Sequence, residues 1–156
     1  MINDLTKILP GIEFIKGDRF FWSPKDQKIT YSSEQLNNDG RWALLHETGH
    51  ALLNHLSYSN DYQLLKMEID AWEKAKEIAF QLRLEISEDH IQECLDSYRD
   101  WLFKRSICPS CEVKTIQKDN SNYYYCFNCH SNWQVSPSRF CRSYRTLKDA
   151  SQNIIV

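Results

Sequence analysis

Glycine and proline are scarce, with four of each in 156 residues. That scarcity excludes collagen-like and flexible-linker chains, and an aromatic share of 13% argues against disorder. Long apolar runs are missing as well. The longest unbroken one extends only from Tyr123 to Phe127, whereas a membrane-spanning helix needs roughly 20 residues. The first residues show no basic segment feeding an apolar one, so no secretion signal is visible and a cytoplasmic setting is expected. Neither charge sign dominates, because the formal net charge is −2. The total hides an asymmetry, however. Residues 1–106 carry 13 Lys and Arg against 18 Asp and Glu (net −5), and residues 107–156 carry 6 against 3 (net +3). An acidic body precedes a basic tail.

What is present is cysteine in pairs. Cys108-Pro-Ser-Cys111 and Cys126-Phe-Asn-Cys129 repeat a CxxC spacing, while Cys94 and Cys141 stand alone. Two such pairs in a chain without a secretion signal point to metal ligation rather than disulfides. The arrangement resembles a zinc ribbon, in which four thiolates close one tetrahedral structural zinc site. Val113–Ile116, Asn122–Tyr125 and Trp133–Val135 are the expected strands. A module of about 30 residues buries too little apolar surface to fold unaided, so the metal would supply the missing stability. His130 adjoins Cys129 but is not needed as a ligand. The aromatics Tyr123, Tyr124, Tyr125, Phe127, Trp133 and Phe140 have two readings: a small core, or a platform for bases. Lys114, Lys118, Arg139, Arg142, Arg145 and Lys148 would meet phosphates in the second.

The body reads as α+β. Residues 12–31 suggest a short antiparallel sheet, with Ser23-Pro24-Lys25-Asp26 as a turn. Asn37-Asn38-Asp39-Gly40 offers a helix cap. Three helices are expected, over 40–57, 62–86 and from Ser87 to about Ser106. The third presents Ile91, Cys94 or Leu95, Tyr98, and Trp101 or Leu102 to the interior. The domain boundary is expected near Ser106, giving 1–106, a four-cysteine module over 107–136 and a basic tail over 137–156.

The first helix carries His46-Glu47-Thr48-Gly49-His50. Residues four apart share one helix face, so both imidazoles can bind one zinc ion and Glu47 can act as general base towards a metal-activated water. Gly49 leaves room for substrate or a neighbouring segment. A catalytic site needs a third ligand. His55, Asp61, Glu68, Asp70, Glu73 and Glu77 are the candidates. Glu68 lies at the centre of the apolar stripe Leu65, Trp72, Ala75, Ala79, Leu82, Ile86, where a carboxylate is costly unless paired or metal-bound. Glu68 is therefore the expected ligand. Tyr58, Tyr62 and His55 are candidates for stabilising an oxyanion.

Leu44-Leu45-His46-Glu47-Thr48-Gly49-His50-Ala51-Leu52-Leu53, followed by Glu68-Ile69-Asp70-Ala71, resembles the ImmA/IrrE family of zinc metallo-endopeptidases. The resemblance covers roughly residues 12–106 and implies a small thermolysin-like zincin fold. It implies zinc bound by His46, His50 and Glu68, with Glu47 as the base. Position 72 is often Asp or Asn in that family and is Trp here. The partner implied is a protein substrate, a helix-turn-helix repressor in the characterised members, with the ribbon docking substrate or nucleic acid. Two alternatives stay open. One is a SprT-like protease acting on DNA-bound proteins, whose third ligand is a later histidine. The other is a binding protein whose ribbon does the work beside a protease domain that no longer cleaves.

Overall fold

In a computed structural model of the chain, residues 1–117, 119, 121–137, 139 and 144–148 are described. The protein is α+β, with four helices and two three-stranded sheets among the described residues. It divides into two compact units, residues 1–57 with 66–93, and residues 58–65 with 94–156. Residues 94–106 thus group with the four-cysteine segment that follows them. No helix among the described residues is long and apolar enough to cross a membrane.

The first unit opens with α1 (Ile2–Ile8), a short helix that the sequence reading did not anticipate. Three strands follow, β1 (Glu13–Gly17), β2 (Phe21–Ser23) and β3 (Lys28–Ser32). Their order is β1-β3-β2. The β2–β3 pair is antiparallel, as expected of a hairpin turning at Pro24–Gln27, with Gln27 at φ 53°. β1 departs from expectation by pairing parallel to β3, with Glu13 opposite Lys28 and an ion pair of 3.1 Å between them. This order makes β3 the central strand, with Ile29, Tyr31 and Ser32 buried.

Asn37 caps α2 (Asn38–Leu52) by accepting the amide of Gly40 through its side chain. Gly40 has a steric reason to be glycine, since a Cβ there would stand 1.6 Å from the Gln35 carbonyl oxygen. The helix stops at Leu52, earlier than periodicity suggests. Asn54 takes a left-handed conformation (φ 50°), and the amides of Asn54 and His55 bond back to the carbonyls of Ala51 and His50. That is a Schellman stop. α3 (Asp61–Gln81) ends the same way, with Arg83 at φ 56° and the Arg83 and Leu84 amides returning to Phe80 and Ala79. Neither left-handed position is glycine, so the sequence reading ran both helices a few residues too far. α4 (Glu88–Ser106) begins where expected, and the Ser87 hydroxyl accepts the His90 amide at 3.4 Å.

The open choices along α4 resolve in favour of Leu95 and Trp101, which are buried, while Cys94, Tyr98 and Leu102 are half-buried. In the second unit, β4 (Tyr123–Tyr125), β5 (Asn132–Val135) and β6 (Arg145–Lys148) form an antiparallel sheet in sequence order. The expected strand over 113–116 reduces to a single bridge between Ile107 and Lys114. β6, in contrast, lies in what had read as tail. Lys118, Phe140, Cys141 and Arg142, named in the sequence reading, lie outside the described residues.

Side-chain alternation builds the small core of this unit. Tyr124 and Trp133 face inward, stacked at 5.5 Å between ring centroids, with Cys108, Cys126 and Val135 buried around them. Arg105 ties the end of α4 to this core. Its carbonyl accepts the Trp133 indole N–H, and its guanidinium donates to the Ser136 carbonyl and lies over Trp101. The same guanidinium pairs with buried Asp61 (Nε to Oδ2, 3.2 Å), which also accepts the Tyr124 hydroxyl.

Candidate functional site

Helical periodicity puts His46 and His50 on one face of α2, and packing of α3 brings Glu68 to them. The Nε2 atoms of the two histidines are 3.1 Å apart. Glu68 Oε2 lies 3.1 Å from His46 Nε2 and 3.6 Å from His50 Nε2. Ligands 2.0–2.1 Å from a tetrahedral metal stand about 3.4 Å from one another. The triangle therefore fits a single cation. Its chemistry fits too, because three lone-pair donors in mutual contact are satisfied together by one positive centre more simply than by shared protons. Burial pushes the Glu68 carboxyl up, but hydrogen bonds and charge from His46 and His50 outweigh it and hold it well below the usual carboxylate range.

The close approach of α2 to α3 depends on Gly49. A Cβ at that position would lie 2.4 Å from the Ala71 carbonyl oxygen and 3.2 Å from its carbonyl carbon. Of the two uses foreseen for this glycine, the structure shows a neighbouring segment, the backbone of α3, filling the space. Ala71 itself is fully buried.

Glu47 occupies the next position on α2 and meets the sheet instead. Its Oε2 accepts the backbone N–H of Trp22 at 2.7 Å. β2 is an edge strand, so that amide points away from β3 and needs a partner outside the ladder. The Trp22 indole N–H in turn donates to the His55 carbonyl at 3.1 Å. One residue of β2 thus fixes both the carboxylate and the segment that follows α2.

His55, weighed above as a ligand and as an oxyanion donor, lies elsewhere. The Schellman stop folds it back so that its Nδ1 is 2.8 Å from His50 Nδ1, the nitrogen turned away from Glu68. Burial, followed by the neighbouring His50, lowers its pKa against the opposing pull of Asp70 and Glu68. Asn54, tolerant of the left-handed region, was the only local signal for this contact. The Trp22 amide had none.

His46 is held differently. The Trp72 ring packs on it at 4.3 Å between centroids, and its buried Nδ1 has no hydrogen-bond partner among the described residues. Trp72 also meets His90, whose ring lies tilted against Trp42. The remaining ligand candidates are engaged elsewhere. Asp70 pairs with Lys66, Glu73 with Lys76 and Glu77 with Lys74. Asp61 pairs with Arg105 in the second unit, to which Tyr58 and Tyr62 also belong, with Tyr62 exposed.

A second cluster joins Cys108, Cys111, Cys126 and Cys129, whose sulfurs all lie within 4.8 Å of one another. Sγ separations of 3.5 Å for Cys108–Cys129 and Cys111–Cys126 approach the roughly 3.8 Å edge of a four-thiolate zinc site. Both CxxC turns are built alike. Glu112 and His130 each take a left-handed conformation (φ 60° and 62°) and donate their amides to Cys108 and Cys126. The amides of Ser110 and Cys129 point at the Cys108 and Cys126 sulfurs. Hydrogen bonds from Ser131 lower the Cys129 thiol to about 6, while burial pushes Cys126 up to about 11. His130 makes no part of this cluster, and its Nδ1 meets the Tyr125 hydroxyl.

These are the groups of three or more potential metal-binding side chains among the described residues. No family model, curated protein or solved structure matches the chain.

Proposed function

We propose that the protein is a zinc-dependent endopeptidase acting on a specific intracellular protein. The observation that carries this reading is the triangle of His46, His50 and Glu68 with its metal-sized edges, with Glu47 the next residue after His46 on α2. His46, His50 and Glu68 would hold the ion, and the four cysteines would hold a second, structural one. Zinc at the first site would polarise a peptide carbonyl and bring the pKa of a water in the open position towards about 7.

Glu47 supplies the proton transfers. With Oε2 anchored on the Trp22 amide, Oε1 is left to take a proton from the attacking water and pass it to the departing amine. Hydrogen bonds and charge from His46 and His50, outweighing the opposing effect of burial, keep Glu68 ionised and available as a ligand. The substrate that the sequence resemblance implies is a helix-turn-helix repressor.

Glu47→Gln keeps the size of the side chain and removes its basicity. Zinc-loaded wild type and variant are compared for metal content and for cleavage of a proteome-derived peptide library, read by mass spectrometry. Equal metal and loss of cleavage in the variant support the reading. Equal cleavage by both proteins, or none by the wild type, removes it.

A further inference from the structure

The sheet of the second unit has two unlike faces. Its inner face buries Tyr124, Trp133 and Val135. Its outer face follows from the strand register, in which Tyr123 stands opposite Gln134 and then Thr146, and Tyr125 opposite Asn132 and then Lys148. Tyr123 and Tyr125 are 50% and 48% exposed. We infer that this face, Tyr123, Tyr125, Asn132, Gln134, Thr146 and Lys148, binds single-stranded nucleic acid. The inference goes beyond the peptidase reading and does not depend on it.

Composition selects the occupant. A protein-docking surface anchors on aliphatic or aromatic side chains buried in pockets, and no strand position on this face is aliphatic. It offers two aromatic rings, two amides, a hydroxyl and an ammonium. No strand position on it is acidic, although the chain as a whole is net negative. Rings stack on bases, amides read base edges and the ammonium meets phosphate. The surrounding segment is basic, with 6 Lys and Arg against 3 Asp and Glu over residues 107–156.

Spacing selects a single strand. Side chains two apart on one strand are about 7 Å apart, twice the roughly 3.4 Å rise per base along one strand of a duplex. Two neighbouring bases can lie on Tyr123 and Tyr125 only when they are unstacked from each other. The platform is also partly preset, because the Tyr125 hydroxyl is held by His130.

The test is fluorescence anisotropy of the full chain, loaded with zinc, titrated into a labelled 20-mer of deoxythymidine and a duplex of equal length. The single strand should bind more tightly. Replacing both tyrosines by alanine should weaken binding roughly tenfold for each ring removed. Replacing both by phenylalanine should preserve most of it, since the stacking surface remains. Tyr62→Ala, exposed in the same unit but off this sheet, should leave it unchanged, and Lys148→Ala should lower the salt slope by about one contact. Loss of binding in the alanine pair with retention in the phenylalanine pair supports the inference. It is overturned by no binding at low salt, by tighter binding of the duplex, or by binding undiminished in the alanine pair. Circular dichroism and zinc content of each variant separate loss of the face from loss of the fold. The readout involves no peptide cleavage, so it stands or falls apart from the peptidase reading.

Discussion

His55 Nδ1 lies 2.8 Å from His50 Nδ1, so one of the proposed zinc ligands has a built-in acceptor for its second ring nitrogen and the other, His46, has none among the described residues. A ligating imidazole that uses Nε2 carries its proton on Nδ1, and the group receiving that proton fixes its tautomer and ring orientation. For His50 that group is a neutral His55. For His46 the ring is held by packing on Trp72 instead.

His55→Ala is therefore expected to weaken zinc binding at the His46 site by about 10- to 100-fold, the range for partners of metal-bound histidines. Competition with a chromophoric chelator measures it. His55→Asn, which keeps an acceptor of similar reach, should recover part of the loss. Unchanged affinity in the alanine variant would show that the contact has no bearing on the metal.

Metal content should distinguish the two clusters. Wild type is expected to hold about two zinc ions and Glu68→Ala about one, because removing a third ligand leaves only two imidazoles at the first site. Elemental analysis after desalting gives the number directly. A variant that keeps both ions would take Glu68 out of the ligand set. Strong chelators should also unfold the four-cysteine segment, whose buried core is a handful of residues around Trp133.

Gly49→Ala sets two effects against each other. Alanine gains about 1 kcal/mol of helix propensity over glycine. Its Cβ, however, would stand 2.4 Å from a backbone oxygen of α3, and backbone cannot rotate aside as a side chain can. Overpacking of that kind costs about 1–3 kcal/mol or more, so the clash should win. A lower Tm by calorimetry, with reduced zinc affinity as the helices part, is the expected outcome. A higher Tm would mean that the helices separate without cost.

Tyr124 gives an alkaline limit to the second unit. Burial, and then the Asp61 carboxylate that accepts its hydroxyl, raise its pKa above the ordinary tyrosine value, against a smaller opposite effect of Arg105. A raised pKa favours the neutral phenol in the folded state. The resulting stability is complete below about pH 10 and declines as pH rises beyond the unfolded value. Tyr124→Phe should lose about 1–3 kcal/mol at neutral pH, since the buried carboxylate forfeits one donor, and should show less of the alkaline decline. Denaturant titrations at pH 8 and pH 10.5 test both halves, and a variant with the wild-type alkaline slope would contradict the second.

Much of the candidate site could be read along the chain because it is local. A helix of 3.6 residues per turn puts His46 and His50 on one face whatever surrounds them. The capping side chains of Asn37 and Ser87 act within three residues. The phase argument for Glu68 is also local, since it asks only which side of α3 is apolar. The helix ends were less legible, because Asn54 and Arg83 occupy left-handed positions usually marked by glycine.

By itself the sequence determined the α+β alternation, the two clusters of potential metal-binding side chains and the face of α3 that carries Glu68. Each depends on a repeat or spacing of a few residues, which the backbone converts into proximity without help from distant contacts. Only the tertiary structure decided that β1 runs parallel to β3 and that the Trp22 amide takes Glu47. It also decided that Gly49 is there to admit the Ala71 backbone, and that Tyr123 and Tyr125 face out while Tyr124 faces in. Those relationships join residues far apart in the chain, or choose between two faces of one strand. Burial against a partner element settles them, and no local pattern contains the partner.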